Sequence, residues 1–563
     1  MPASRRTAGR TVAIPGRTGA AVRRPGSRIR RPALLPAAAV ALALTASACS
    51  GTDGTTATAA DAGPPRAGGT LTLALAVDPT CLDPQQYGLN ASLNVGRQLV
   101  DSLTDQDPAT GEIKPWLAQS WEVNPEATQF TFHLRPGVTF SDGTPVDATA
   151  VKANLDGVVA LGAKAQIAGV YLTGYTGSTV VDPTTVRVEF GTPSAQFLQA
   201  TSTVSLGLLA PATLARSADE RCQGALVGSG PFVFGSYKQN QSVEITRRAG
   251  YNWGSSLWHK EGEAYLDKVV YKIIPESGVR AGALESGQVD AISDIQPQDE
   301  GRFEGGAYTV VTRPNPGVVF GLFPNVVRPG LDDDAVRHAV QKAVDRPELT
   351  QTVLSPRYKP ATSPLAAVTP DYVDQGAALG YDPEGAKRIL DAAGWLPGSD
   401  GIRAKNGRKL SFDVVFAPAF NASQSVLELV QQQLKKVGVD LRLRKLTPGE
   451  TNTVLAGGDF DFSYLNLTRS DPDVLRVLFS TKSANRGHLP VGPLDTALDQ
   501  QSRLNDQGPR YGQVAEAQRV IVERGYVIPL FELAQVHGLA AKVQGVTLDA
   551  SSRLSLHDAW LKG

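Results

Sequence analysis

Two stretches in the first half of the chain alternate apolar and polar residues with a period of two. Residues 129–135 (QFTFHLR) place Phe130, Phe132 and Leu134 on one face, and residues 185–190 do the same with Val186, Val188 and Phe190. Turn residues bound both, so each predicts a half-buried strand. The period changes further on. Between Asp332 and Arg346, the residues Val336, Ala339, Val340, Ala343 and Val344 fall at helical spacing, with aspartates leading and Pro347 as the expected stop. Residues 383–393 predict another helix, with Ala386, Ile389, Leu390 and Ala393 on one face and Gly394 at its C-cap. Residues 412–416 predict a strand, 425–437 a helix and 439–443 a strand. That order is a βαβ unit, hence a parallel pair with a right-handed crossover. The second half is therefore α/β and the first half more strand-rich. Open α/β sheets bind ligands at strand carboxyl ends, often between lobes.

One apolar run follows neither period. Residues 33–48 are almost wholly apolar and come after a stretch with nine arginines in residues 1–48 and no acidic residue. A basic stretch, a short apolar core and small residues form a secretory signal. The run is shorter than the ~20 residues that span a bilayer. Ala46, Ser47, Ala48 and Cys49 resemble a bacterial lipobox, which implies that Cys49 is diacylated and becomes the mature N-terminus. An unmodified signal peptide and a single membrane anchor are the competing readings. Residues 50–68 (SGTDGTTATAADAGPPRAG) suit a flexible tether, and two acyl chains hold a protein stably on a membrane.

This segment changes the meaning of the overall charge. The 563 residues carry 55 Lys+Arg and 55 Asp+Glu. Without the nine arginines of the signal, 46 basic residues face 55 acidic ones. The exported chain is acidic, which gives no case for nucleic-acid binding. Two cysteines, Cys81 and Cys222, remain in it. In an oxidising compartment they are either one disulfide or two separate thiols.

Reactive constellations are scarce. The histidines His133, His259, His338, His488, His537 and His557 are dispersed, with no metal-binding spacing among them. There is no G-x-S-x-G elbow and no Gly-Lys dipeptide, which removes the usual phosphate-binding loop. No catalytic residue, metal ligand or cofactor is assigned from the sequence. A binding protein is the expectation.

Residues 111–151 (GEIKPWLAQSWEVNPEATQFTFHLRPGVTFSDGTPVDATAV) carry the strongest family signature. Pro115, Leu117, Ala118, Ser120 and Trp121, then Thr131, Phe132, Leu134, Arg135, Gly137, Val138, Phe140 and Ser141-Asp142-Gly143 with Pro145, fall in family order. Residues 68–75 (GGTLTLAL), 228–232 (GSGPF), 283–290 (ALESGQVD) and 333–346 (DDAVRHAVQKAVDR) add to it. The chain resembles the family 5 solute-binding proteins of ABC importers, the oligopeptide, dipeptide and nickel class. The resemblance implies an α/β, type II periplasmic-binding-protein fold of two lobes with a hinge, plus an extra strand-rich domain. The implied layout is a signal at 1–48, a lipidated tether at 49–65, a discontinuous first lobe (66–100, 226–313 and 527–563), an extra domain at 101–225 and a second lobe at 314–526. Hinges are expected near Arg313-Pro314 and Arg524-Gly525.

In peptide-binding members, an aspartate three residues before a D/E-P pair holds the peptide ammonium. Here Asp471-Pro472 fits the pair, but the matching position is Thr468, with Arg469 beside it. A threonine cannot neutralise an ammonium, whereas Arg469 suits an anion or is a solvated loop arginine. Asp471 and Asp473 are also candidates to cap a helix over 474–479. The implied pocket adds Tyr87 and Asn90 from the loop after the opening strand and Phe320 from the crossing strand. The expected function is a monomeric receptor on the outer face of the cytoplasmic membrane. It would bind a peptide or peptide-like solute for an ABC permease and its ATPase subunits, without a cofactor. An extracellular hydrolase and a non-transport sensor on the same fold are the alternatives.

Overall fold

The computed structural model of the protein describes residues 63–563 except 225 and 419. The expected signal, Cys49 and nearly all of the tether lie outside the described residues.

The opening strand Thr70–Leu75 (TLTLAL) is buried on both sides. Leu71, Leu73 and Leu75 enter one core cluster and Ala74 another, as the two-residue period of a strand requires. It lies at the centre of a seven-stranded sheet, ordered Tyr308–Pro314, Ala534–Ala540, Ala291–Ile292, Thr70–Leu75, Lys268–Ile273, Ser242–Arg247 and Phe232–Lys238. Thr70–Leu75 pairs parallel with both neighbours. This sheet builds the first lobe.

A five-stranded sheet builds the second lobe, in the order Asp440–Lys445, Ser411–Phe416, Phe462–Thr468, Gly317–Pro324 and Ile528–Phe531. Ser411–Phe416 and Asp440–Lys445 pair in parallel, and the helix Ser423–Lys436 between them buries Val426, Leu427, Val430 and Leu434. This is the predicted βαβ unit. The crossing strand Gly317–Pro324 (GVVFGLFP) is buried at every position, as a central strand covered on both faces must be.

The extra domain is a four-stranded antiparallel sheet, ordered Ala118–Val123, Gln129–Leu134, Thr185–Phe190 and Tyr175–Asp182. The helix Ala148–Leu161 packs with it, capped by Asp147, whose side chain accepts from the Ala150 N–H. Phe130 and Phe132 are fully buried and meet Phe197 edge-on at centroid distances of 5.0 and 6.2 Å. The family block at 111–151 thus supplies a domain core, although Trp121 is only half-buried and Trp116 is the buried tryptophan.

Two sequence expectations change. The helix expected up to Arg346 is Asp334–Ala343, and a second helix, Arg346–Thr352, follows at once. Pro347 does not end the first helix but stands in the first turn of the second, where a missing N–H costs nothing. Asp345 caps that turn by accepting from the Glu348 N–H at 2.9 Å. The lobe boundary expected between 526 and 527 also moves. Ile528–Phe531 pairs with the crossing strand, and the chain reaches the first sheet only at Ala534. One extended segment feeds both sheets, so its hydrophobic pattern carries no boundary at 526.

The chain therefore passes between lobes at 315–316 and 532–533. Pro314 pairs with Ala534 in the first sheet, and Gly317 with Thr468 in the second. The two passages touch, since the Asn315 N–H donates to the Leu533 carbonyl at 2.7 Å.

Candidate functional site

The strand Phe462–Thr468 (FSYLNLT) is buried over its first three residues and only half-buried over the last four. Its carboxyl end thus leaves the core between lobes. Its placement depends on Gly317, whose φ of +104° suits glycine. A Cβ there would stand 2.3 Å from the Leu467 carbonyl oxygen and 2.6 Å from the Arg469 nitrogen. The Arg469 N–H donates to the Pro316 carbonyl at 3.1 Å. The hinge backbone thereby fixes where Arg469 leaves the sheet.

Arg469 is 4% exposed. It lines a cavity of about 350 Å³, together with Leu465, Asn466, Leu467 and Phe479 of the second lobe and Gln166 and Val170 of the extra domain. Its guanidinium carbon lies 4.8 Å from the centroid of the Tyr171 ring. Among the described residues, its Nε and Nη1 have no hydrogen-bond partner. Burial pushes the Tyr171 phenol above its ordinary pKa, and the Arg469 charge opposes that shift.

The neighbouring acids are committed elsewhere. Asp471 forms a two-pronged ion pair with Arg510, at 2.5 and 2.9 Å, and both side chains are almost fully buried. Asp473 grips Arg476 with two bonds of 2.8 Å. The Asp473 side chain, at the N-cap of the helix Val474–Phe479, accepts no capping bond, whereas Asp471 accepts from the Asp473 N–H at 2.8 Å just before the helix. For Asp473 the charged Arg476 is a stronger partner than a helix N–H.

Other expected site residues are dispersed. The Thr468 hydroxyl accepts from the Asn315 side chain at 2.9 Å, and Gln535 donates to Asn315 in turn at 3.1 Å. Thr468 is thus tied to the hinge. Phe320 stacks between Tyr464 and Phe531 at centroid distances of 4.9 and 5.1 Å and is part of the second-lobe core. Asn90 opens the helix Asn90–Leu99 and accepts from Arg553. Arg553 is itself buried, and desolvation lowers its pKa against the pull of Asp549. Tyr87 is half-buried, just after a turn at 84–86.

The loop bearing Tyr87 reaches the cavity through Gln166. The Gln166 N–H donates to the Gln86 carbonyl at 3.1 Å, and its side chain accepts from the Gly88 N–H at 3.3 Å. A disulfide between Cys81 and Cys222 anchors the same loop. Beside it lies a buried Asp83–Arg221 ion pair at 2.7 Å. Sequence reasoning missed Tyr171, Gln166 and Arg510, and had Asn315 only as the first residue of the crossing segment. Only Asn315, placed before Pro316 where the chain changes lobes, had a local signal. Among the described residues, no cluster of three or more His, Cys, Asp or Glu could hold a metal ion.

A model of the bacterial extracellular solute-binding proteins, family 5 Middle, matches residues 112–487. The chain belongs to this family. The family 5 protein is 27% identical over 560 residues to Protein XP55 of Streptomyces lividans, with 92% of each chain covered. It is 25% identical over 507 residues to the glutathione-binding protein GsiB of Escherichia coli K12, covering 86% of this chain and 93% of that one. Its fold matches NikA from Brucella suis in complex with Fe(III)-EDTA, with a TM-score of 0.76 and 25% identity over 88% of this chain and all of that one. The family 5 protein has the type II architecture of this class, two hinged lobes with a strand-rich addition.

Proposed function

We propose that this family 5 protein is the lipid-anchored receptor of an ABC importer. It stands on the outer face of the cytoplasmic membrane, captures a peptide or peptide-like solute between its lobes and passes it to the permease. The observation that carries this reading is the cavity at the carboxyl end of Phe462–Thr468, walled by both the second lobe and the extra domain. Walls from two bodies let a bound solute favour closure, because it gains contacts from both only when they meet. The relative named for glutathione binding supports a small peptide as the solute.

The test is native mass spectrometry of protein purified from its own host, followed by thermal-shift screening against di- to pentapeptides. A released peptide-like mass, or stabilisation by such peptides, is the expected result. No bound mass and no shift across the panel would overturn the reading. For the anchor, Cys49→Ala should move the protein from the detergent phase to the aqueous phase in a phase-partition assay. Unchanged partitioning would remove Cys49 from the account.

A further inference from the structure

The unusual feature of the cavity is an unbalanced charge. Among the described residues, every buried arginine other than Arg469 makes at least one guanidinium hydrogen bond or ion pair, although Arg97 does so only through Nη2, to Ser102. Arg280 donates to the carbonyls of Ser293, Ile274, Pro275 and Asp294. Arg346 donates to those of Pro529 and Leu379, and Arg403 pairs with Asp391. Among the described residues, Arg469 is the only buried arginine whose guanidinium makes neither a hydrogen bond nor an ion pair. The Tyr171 ring face beside it compensates less than a carboxylate would. A buried, unpaired cation is costly, and the cost is removed when an anion arrives. The acids nearest in sequence cannot serve, because Asp471 is held by Arg510 and Asp473 by Arg476. Thr468 brings no charge, and its hydroxyl is occupied by Asn315.

We infer that Arg469 anchors a carboxylate of the solute, so that the receptor selects acids with an apolar body. This rests on the receptor reading above and names the solute class for it. The guanidinium offers a planar fork that matches a carboxylate with two parallel bonds. The walls beside it, Leu465, Leu467, Val477 and Phe479, suit aliphatic or aromatic groups. A volume of about 350 Å³ is at the lower end for ligand cavities and fits a solute of dipeptide size better than a long peptide. Among the described residues, none that lines the cavity is acidic, and Thr468 and the committed aspartates supply no carboxylate to hold an ammonium beside that one.

The experiment uses the full chain, its Arg469→Gln and Arg469→Lys variants, and one pair of probes, N-acetyl-Leu-Phe and its C-terminal amide. Solutes captured from the host are released by denaturation and identified in parallel. The expected result is calorimetric binding of the acid on the order of 10- to 100-fold tighter than the amide. Arg469→Gln should abolish that preference, and Arg469→Lys, which keeps the charge and controls for folding, should retain part of it. Equal affinity for acid and amide, or full retention of the acid by Arg469→Gln, overturns the anchor and leaves the receptor reading standing. If neither probe binds, the captured solutes decide. Carboxylates lost from Arg469→Gln support the anchor, and carboxylate-free solutes overturn it. No captured solute overturns the receptor reading and the anchor with it.

Discussion

Replacing Gly317 by alanine tests how the hinge holds the site. The residue has a φ of +104°, outside the left-handed helical well that asparagine or aspartate can adopt. Forcing an alanine there costs about 1–3 kcal/mol. The new Cβ would also lie 2.3 Å from the Leu467 carbonyl oxygen and 2.6 Å from the Arg469 nitrogen. Both are backbone atoms of a paired strand, so relief requires the strand end to move, at about 1–3 kcal/mol for overpacking. The two effects together come to roughly 2–6 kcal/mol, enough to part Gly317 from Thr468 and displace Arg469. Gly282→Ala is the matched control. It lies in the helix Ser277–Glu285 with nothing within 4 Å of its would-be Cβ, so alanine there should stabilise by about 0.5–1 kcal/mol. Denaturant unfolding gives the cost, and hydrogen exchange of the peptide spanning 462–470 gives the place. A Gly317→Ala protein that unfolds within about 0.5 kcal/mol of the parent, the size of an ordinary surface change, with that peptide's exchange unchanged, would refute this.

Arg510→Met should destabilise by about 3–5 kcal/mol, because it strands the buried Asp471 carboxylate, and adding Asp471→Leu should recover much of the loss in the same unfolding assay. Asp101 is buried against Trp253 and Tyr251, which donate to it at 3.0 and 3.2 Å, and burial pushes its pKa up to about 7. A folded pKa above the unfolded value near 3.8 means that its contribution to stability is full at low pH and is lost as pH rises from about 4 to 7. The stability of Asp101→Asn relative to the parent should therefore grow across that window, and a flat difference in paired unfolding curves would refute it. Removing the Cys81–Cys222 bridge frees a loop with a sequence separation of 141, for which chain entropy gives a cost of about 2–5 kcal/mol. Cys81→Ser/Cys222→Ser should show it as a lowered thermal midpoint that reductant does not lower further.

The periodic parts of the sequence were legible because each buries its pattern locally. The strands at 129–134 and 185–190 and the βαβ unit at 411–445 need only their own alternation and a neighbour of matching face. The Arg346–Thr352 helix was not legible, since a proline between two helices reads equally as a stop or a start. The site was legible only in part. Thr468 stood out as neutral where an acid was expected, with the charged Arg469 beside it, but the burial of Arg469 depends on Tyr171, about 300 residues earlier in the chain. The commitment of Asp471 depends on Arg510, whose helix gives no sign of its partner. Phe320 and Thr468 were expected to line the pocket, yet packing and hydrogen bonding direct the first into the core and the second to the hinge.

The two lobe passages, at 315–316 and 532–533, act as adjacent pins on one door. A single passage would leave the lobes free to twist and slide as well as swing. Two passages joined by the Asn315–Leu533 hydrogen bond resist twisting and sliding and leave one axis of rotation. The anchor arginine is one hydrogen bond from that axis, its N–H donating to the Pro316 carbonyl at 3.1 Å. A solute held there works on a short lever, so a small displacement at the guanidinium becomes a wide swing at the outer rim of the lobes. The receptor's angular state can then be read as a single variable, and a partner that touches only the rim can sense occupancy without contacting the solute.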